Sequence, residues 1–337
     1  MEARLGKFLA KIEKKYHQLP PDLHITRKAG ALVAISDGKP IMIEKPSVKY
    51  CPLFKILFGN SNIDQASIAE KFRTQVEKWG MFTANRKVTD CSIVVPFGAS
   101  EMIMYALDKN GVDTAVLVCE GAGSVITSSP EVVQGIGAYM NGVFYTTPIA
   151  RIMENLKKKG TVLLSEKAEI NQFKAVKLAY SRGYRQLVVT VRGDQIGQIK
   201  KMRDFQLRSP GLKTIIMAVC NTGISSNQAR AIRDNADLAW ACASSKIREI
   251  VAPASMLQVG MKIPVFVITG QGIDFLSNYY DQQRAPDLLK EGKTKKYITS
   301  NRCHPGGTRF RMGRFSVYAY PTESLPVNAS DQPRPYI

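Results

Sequence analysis

Histidine is scarce in this chain: only His17, His24 and His304 occur in 337 residues. None falls in the central apolar segments, which argues against a Ser-His-Asp triad or a His-ligated catalytic zinc there. No apolar run reaches bilayer length and no signal-peptide pattern opens the chain, so the sequence reads as cytoplasmic and soluble, with no membrane partner. The six cysteines have no CxxC and no paired secretory spacing, which points to free thiols or ligands rather than a disulfide framework. Neither a G-x-x-x-x-G-K-[ST] phosphate loop nor a G-x-G-x-x-G fingerprint at a strand–helix junction is present. Acidic residues are few, with 28 Asp and Glu against 47 Lys and Arg, a net charge of +19. That surplus favours an anionic partner, either an acidic protein surface or nucleic acid. With no RNA-binding motif in the chain, nucleic acid ranks second.

What is present divides into four stretches. Residues 1–30 carry a basic amphipathic helix over 1–18, with Leu5, Phe8, Leu9, Ile12 and Tyr16 on one stripe. It can pack on its own domain or serve as a docking arm. Residues 31–90 predict a small α+β portion. It holds a hairpin turning on Asp37-Gly38 and a helix from Asn62 to Trp79. Residues 91–280 alternate short apolar runs (SIVVP, TAVLV, TVLL, QLVVTV, TIIMAV, LAWAC, IPVFVIT) with helical segments. Continuous apolar strands joined by helices predict an α/β fold: a Rossmann-like, doubly wound, mostly parallel sheet. Residues 281–337 read as a basic, extended C-terminal arm, with eight basic residues and one acid between Lys290 and Arg314.

In such a sheet, ligands bind beyond the carboxyl ends of the strands. The Gly- and Ser-rich turns expected there offer Gly98, Ser100, Gly121, Gly123, Ser124, Gly223 and Ser244 as cofactor-binding positions with free backbone N–H groups. Cys119, Cys220 and Cys242 end successive expected strands. Together with Cys51 they are candidate metal ligands, able to hold an iron–sulfur cluster if they converge. The competing reading is a set of small buried thiols. Glu120 and Cys119 are the catalytic candidates, and Glu101 is a further acid–base candidate that suits a helix N-terminus equally well. The glycine-rich segment VQGIGAYMNG either lines the site or marks a close backbone contact.

Several phrases taken together, VKYCPLF, FGASEMIMYAL, GAGSVITSSPEVVQGIG, NGVFYTTPI, CNTGIS, ACASSKIREI and LQVGMKIPVF, resemble the methanogenesis marker protein 8 family of methanogenic and related archaea. The resemblance runs from about Ala31 to Leu276. It implies an accessory role in methanogenesis, in which the chain docks on methyl-coenzyme M reductase or its maturation machinery. Basic segments 1–18 and 290–320, which the resemblance does not cover, supply the contact in that expectation. It also strengthens a ligand role for Cys51, Cys119 and Cys242. The alternatives are an enzyme acting on a small anionic or nucleotide-like ligand in the strand-end pocket, and a basic RNA- or ribosome-associated protein.

Overall fold

In the computed structural model, which describes residues 2–59, 61–92, 95–138, 142–290 and 294–337, the chain begins with α1 (Glu2–Tyr16), β1 (His24–Lys28), β2 (Ala31–Ser36), β3 (Lys39–Ile43), α2 (Pro52–Phe58) and α3 (Gln65–Trp79). The middle contains α4 (Ala99–Asp108), β4 (Thr114–Cys119), β5 (Gly123–Thr127), α5 (Pro130–Gly137), β6 (Val143–Thr146), α6 (Ala150–Lys158), β7 (Val162–Leu163) and α7 (Gln172–Ser181). Next come β8 (Gln186–Arg192), α8 (Ile196–Arg208), β9 (Lys213–Val219), α9 (Ser226–Asn235) and β10 (Leu238–Trp240). The last third supplies β11 (Leu257–Val259), β12 (Val265–Val267), α10 (Gly270–Leu276), α11 (Asp287–Lys290), β13 (Lys295–Thr299), β14 (Thr308–Met312) and β15 (Phe315–Thr322). The expected strand SIVVP includes Ile93 and Val94, which lie outside the described residues, as do Tyr139–Asn141 of the glycine-rich segment.

Two sheets form. The smaller has the order β3-β2-β1-β6 and is antiparallel throughout. Its β2 alternates cleanly: Ala31, Val33 and Ile35 face α2 and α3, while Leu32 and Ala34 join Phe8 and Ile12 of α1 on the other face. Burial of Phe8 and Ile12, each worth about 1.5–3 kcal/mol, holds α1 on this sheet.

The larger sheet has eleven strands in the order β14-β15-β13-β11-β12-β10-β9-β8-β4-β5-β7. Adjacent residues on β4 and β8 point to opposite cores. Ala115, Leu117 and Val188 face α4, α5, α6 and α10, whereas Val116, Leu187 and Val189 face α7, α8 and α9. Helices therefore cover both faces.

The mostly parallel Rossmann-like sheet is overturned. Strands β4, β8, β9 and β10 pair in parallel, as do β11 and β13, but β5, β12 and β15 run the opposite way, so that β7 and β14 also join through antiparallel pairs. The reason is connection length. Only Glu120, Gly121 and Ala122 separate β4 from β5, far too few for a parallel crossover, so the chain doubles back as a hairpin with Gly121 and Gly123 at positive φ. A short link likewise returns β11 as β12. Of the two basic terminal segments, α1 packs on the small sheet, and β13–β15 extend the large one.

His24 is 1% exposed, hydrogen-bonds Thr146 Oγ1 at 2.6 Å and sits near Asp22. Burial dominates and lowers its pKa from 6.5 to about 4. The unfolded chain thus takes up this proton first. The stability that His24 contributes is complete above about pH 6.5 and is lost as the pH falls towards 4, in total roughly 3 kcal/mol. His24→Gln should flatten the pH dependence of the urea midpoint across that window.

Candidate functional site

Beyond the carboxyl ends of β4, β8, β9 and β10, between the two sheets, lies a cavity of about 980 Å³. That is the upper size of a small-molecule site. Apolar walls come from Leu53, Ile56, Phe58, Phe97, Val143 and Trp240. The C-terminal segment crosses one side, where Arg334 N–H donates to the Tyr50 carbonyl at 2.9 Å and Ile337 N–H to Ala243 at 3.0 Å, and Ala329 to Asp331 line the space.

Its charge is one-sided. Among the described residues, Arg27, Lys28, Lys71, Arg192 and Lys262 line the cavity against the single carboxylate of Asp331. Asp331 pairs with Lys262 at 2.6 Å, and Asp194 holds Arg192 at 3.0 Å. Arg27, Lys28 and Lys71 have no carboxylate partner among the described residues. The Arg27 guanidinium donates to the Cys220 carbonyl and lies 5.4 Å from the Phe144 ring, which Arg192 approaches at 3.8 Å. Lys28 Nζ lies 5.5 Å from the Phe54 ring. Burial lowers its pKa, opposed by the surrounding thiols of Cys51, Cys242 and Cys220.

Of the four cysteine ligand candidates, Cys51, Cys220 and Cys242 line this cavity, as does Cys303. Cys220 and Cys242 follow β9 and β10 with φ of 56° and 47°, left-handed values that are strained for a non-glycine residue and recur at binding sites. The Cys220 thiol accepts a hydrogen bond from Gly142 N–H at 3.1 Å. A side chain at Gly142 would meet Arg192 Cδ at 2.7 Å and Cys220 Sγ at 3.3 Å, so that approach requires glycine. Burial, with Cys220 and Cys51 adding, pushes the Cys242 thiol up to about 12.

Cys119 does not join them. It is fully buried in the main core, with its thiol 3.3 Å from the Glu120 carbonyl, and burial raises its pKa well above the usual thiol range. Among the described residues, no group of three His, Cys, Asp or Glu is disposed to hold a metal ion. The four cysteines named as iron–sulfur ligands are therefore not assembled as a ligand set.

Glu120 is also absent from the cavity. It is fully buried and paired with Arg86 Nε at 2.5 Å, while Arg86 donates further to the Gly135 carbonyl at 2.9 Å. Glu101 is buried beneath the β14–β15 hairpin side of α4; burial raises its pKa against the opposing charge of Arg314.

Among the cofactor positions, Gly98 and Ser100 line the cavity. Gly121, Gly123, Ser124, Gly223 and Ser244 are not among its lining residues. Ser124 donates to Gln172 at 2.6 Å, and Ser244 Oγ accepts from Ile247 N–H at 3.3 Å. A side chain on Gly121 would strike Ile149 and one on Gly123 would strike Ala168, while Gly223 lies near the C-terminal Ile337.

Sequence reasoning missed Arg27, Lys28 and Lys71. Lys71 carried a readable signal. It occupies the i+3 position from Ile68 on the stripe shared with Phe72 and Gln75, a lysine on the buried face of an amphipathic helix.

Fold and cavity together define an α/β protein with a ligand-sized, positively charged chamber at the carboxyl ends of a mixed sheet. The chain belongs to the family described as an uncharacterized protein conserved in archaea (DUF2099), whose model matches residues 24–280. It is 36% identical over 271 residues to an uncharacterized protein of Methanocaldococcus jannaschii, covering 80% of this chain and 92% of that relative. A chain in a solved hydrogenase complex from Methanosarcina barkeri matches with a TM-score of 0.25 and 15% identity, over 66% of this chain. It is spanned to only 53% of its length, and so slight a likeness bears on neither fold nor function. No helix among the described residues is long and apolar enough to cross a membrane.

The Arg86–Glu120 pair predicts a clear stability phenotype. Glu120→Gln leaves a buried guanidinium without its counter-charge and should lower unfolding free energy by roughly 3 kcal/mol. In the double variant Arg86→Met/Glu120→Gln the loss should be smaller than the sum of the losses in Arg86→Met and Glu120→Gln, as read from denaturant midpoints in a double-mutant cycle.

Proposed function

We propose that this archaeal family member binds a small anionic molecule with an apolar body in the chamber between its two sheets. The observation that carries this reading is the pair of cations Arg27 and Lys28, which face one apolar chamber beside the amine of Lys71, all three without a carboxylate partner among the described residues. Cations held out of water without a counter-charge are costly, so a protein that retains a buried Arg27 and a half-buried Lys28 gains most from a ligand that neutralises them. Apolar walls around this charge suit an aromatic or branched carbon skeleton and disfavour a fully hydrated inorganic ion.

An aromatic carboxylate such as phenyllactate should raise the melting temperature, by an amount that grows with the logarithm of its concentration above Kd, and its neutral amide should not. Arg27→Met and Lys28→Met should each weaken binding by about tenfold, the equivalent of one lost charge-assisted hydrogen bond. Equal binding of acid and amide would remove the basis for the reading.

A second reading keeps the accessory role in methanogenesis, with docking on methyl-coenzyme M reductase or its maturation machinery. It draws support from β14, an edge strand whose Arg309 and Arg311 are exposed, with exposed Arg302 and Arg314 nearby. Free edge strands pair readily with added chains, and arginine favours acidic partners. Capture of the reductase from extract should survive nuclease and disappear with Arg309→Glu/Arg311→Glu. Capture that is unchanged in that variant would exclude this surface.

A further inference from the structure

We infer that Lys71 is a covalent attachment point, whose amine condenses with the carbonyl group of an anionic oxo compound held by Arg27 and Lys28. The inference rests on the anionic-ligand reading of the same chamber and adds the chemistry that occurs there. Lys71 leaves the buried face of α3 between Ile68 and Phe72, and the residue is 2% exposed. Its side chain lines the cavity, while its buried amine lies 4.3 Å from the Phe72 ring and finds no hydrogen-bond acceptor among the described residues. An amine used only as a counter-ion would be expected to keep a carboxylate beside it; among the described residues this one has none.

The electrostatics favour the nucleophilic form. Burial, reinforced by the positive charge of Lys28, lowers the Lys71 pKa well below the usual lysine range, and Cys220 opposes this only in part. A lysine desolvated beside a second cation is the arrangement that makes an amine reactive towards carbonyls near neutral pH. The Cys242 thiol, by contrast, is held protonated by its burial and is the poorer nucleophile. Arg27 and Lys28 supply what Lys71 in its neutral form cannot, a charge to hold the carboxylate or phosphate of the ligand.

The step balances without any further reagent. The nitrogen lone pair attacks the carbonyl carbon, and the C=O π electrons move onto oxygen. Both amine hydrogens then leave with that oxygen as water, and a C=N bond joins ligand to lysine. The class of ligand is therefore a 2-oxo acid or an aldehyde that carries an anionic group.

Phenylpyruvate with sodium cyanoborohydride, which reduces imines, tests this on the full chain. The expected result is one reduced adduct per chain by intact mass, mapped by peptide analysis to Lys71, absent in Lys71→Met and suppressed by excess phenyllactate. Lys28→Met should slow labelling by about tenfold through loss of the anion contact. Peptide mapping on the unaltered protein makes the result independent of whether a variant folds. Label scattered over surface lysines, or undiminished in Lys71→Met, would overturn the inference. Phenyllactate binding with no adduct also overturns it and leaves the anion site standing. An adduct at Lys71 that phenyllactate cannot suppress supports the imine and instead removes the charge-based reading of the chamber.

Discussion

A guanidinium and a carboxylate, both wholly removed from water, join the two sheets of this protein. Arg86 leaves the segment after α3, and Glu120 sits in the three-residue turn between β4 and β5. Neither charge can be buried alone, since desolvation of an unpaired ion exceeds what local packing returns. The pair therefore forms only when the small sheet and its helices are docked in one position on the large sheet. Arg86 adds the Gly135 carbonyl of α5, and Gly135 approaches the Val88 backbone so closely that a side chain would strike it at 2.2 Å. The chamber is the space left when two sheets are locked at that separation.

The same logic, applied inside the chamber, runs in the opposite direction. Arg192 and Lys262 have Asp194 and Asp331 beside them, so their charges are settled within the fold. Arg27 and Lys28 are left without a counter-charge and Lys71 without a hydrogen-bond acceptor, and Cys220 and Cys242 hold left-handed backbone at the adjoining strand ends. Strain and unsatisfied charge in one place are what a fold tolerates where a ligand completes it. The thiols and cations share the chamber, while Cys119 and Glu120 are bound into the core a turn away.

Much of the fold was legible. The Asp37-Gly38 hairpin forms with both residues at positive φ, and Ser36 pairs with Lys39 across it. The apolar runs at Thr114, Gln186, Lys213 and Leu238 are strands with helices between them. Direction was not legible, because a strand buried on both faces reads as a continuous apolar run whichever way it is paired. The turn Glu120-Gly121-Ala122 looked like a ligand loop and is a hairpin. Its glycines serve the turn and the close contacts of Ile149 and Ala168. The site was legible in part: Cys51, Cys220, Cys242, Gly98 and Ser100 do face one cavity. Lys71 was passed over although its place on a buried helical stripe marked it, and Lys28 ends a short strand with no comparable signal.

The amino-acid sequence by itself determined the local structure and the inventory: where strands and helices lie, which turns need glycine, the positive charge and the scarcity of histidine. These follow from periodicity, backbone sterics and composition, which act over a few residues. Tertiary structure alone decided which strands pair antiparallel, that Glu120 neutralises Arg86, and that three basic side chains from β1 and α3 share a chamber with the thiols that follow β9 and β10. Burial and ion pairing act between residues far apart in the chain, so their outcome exists only once the two sheets have met.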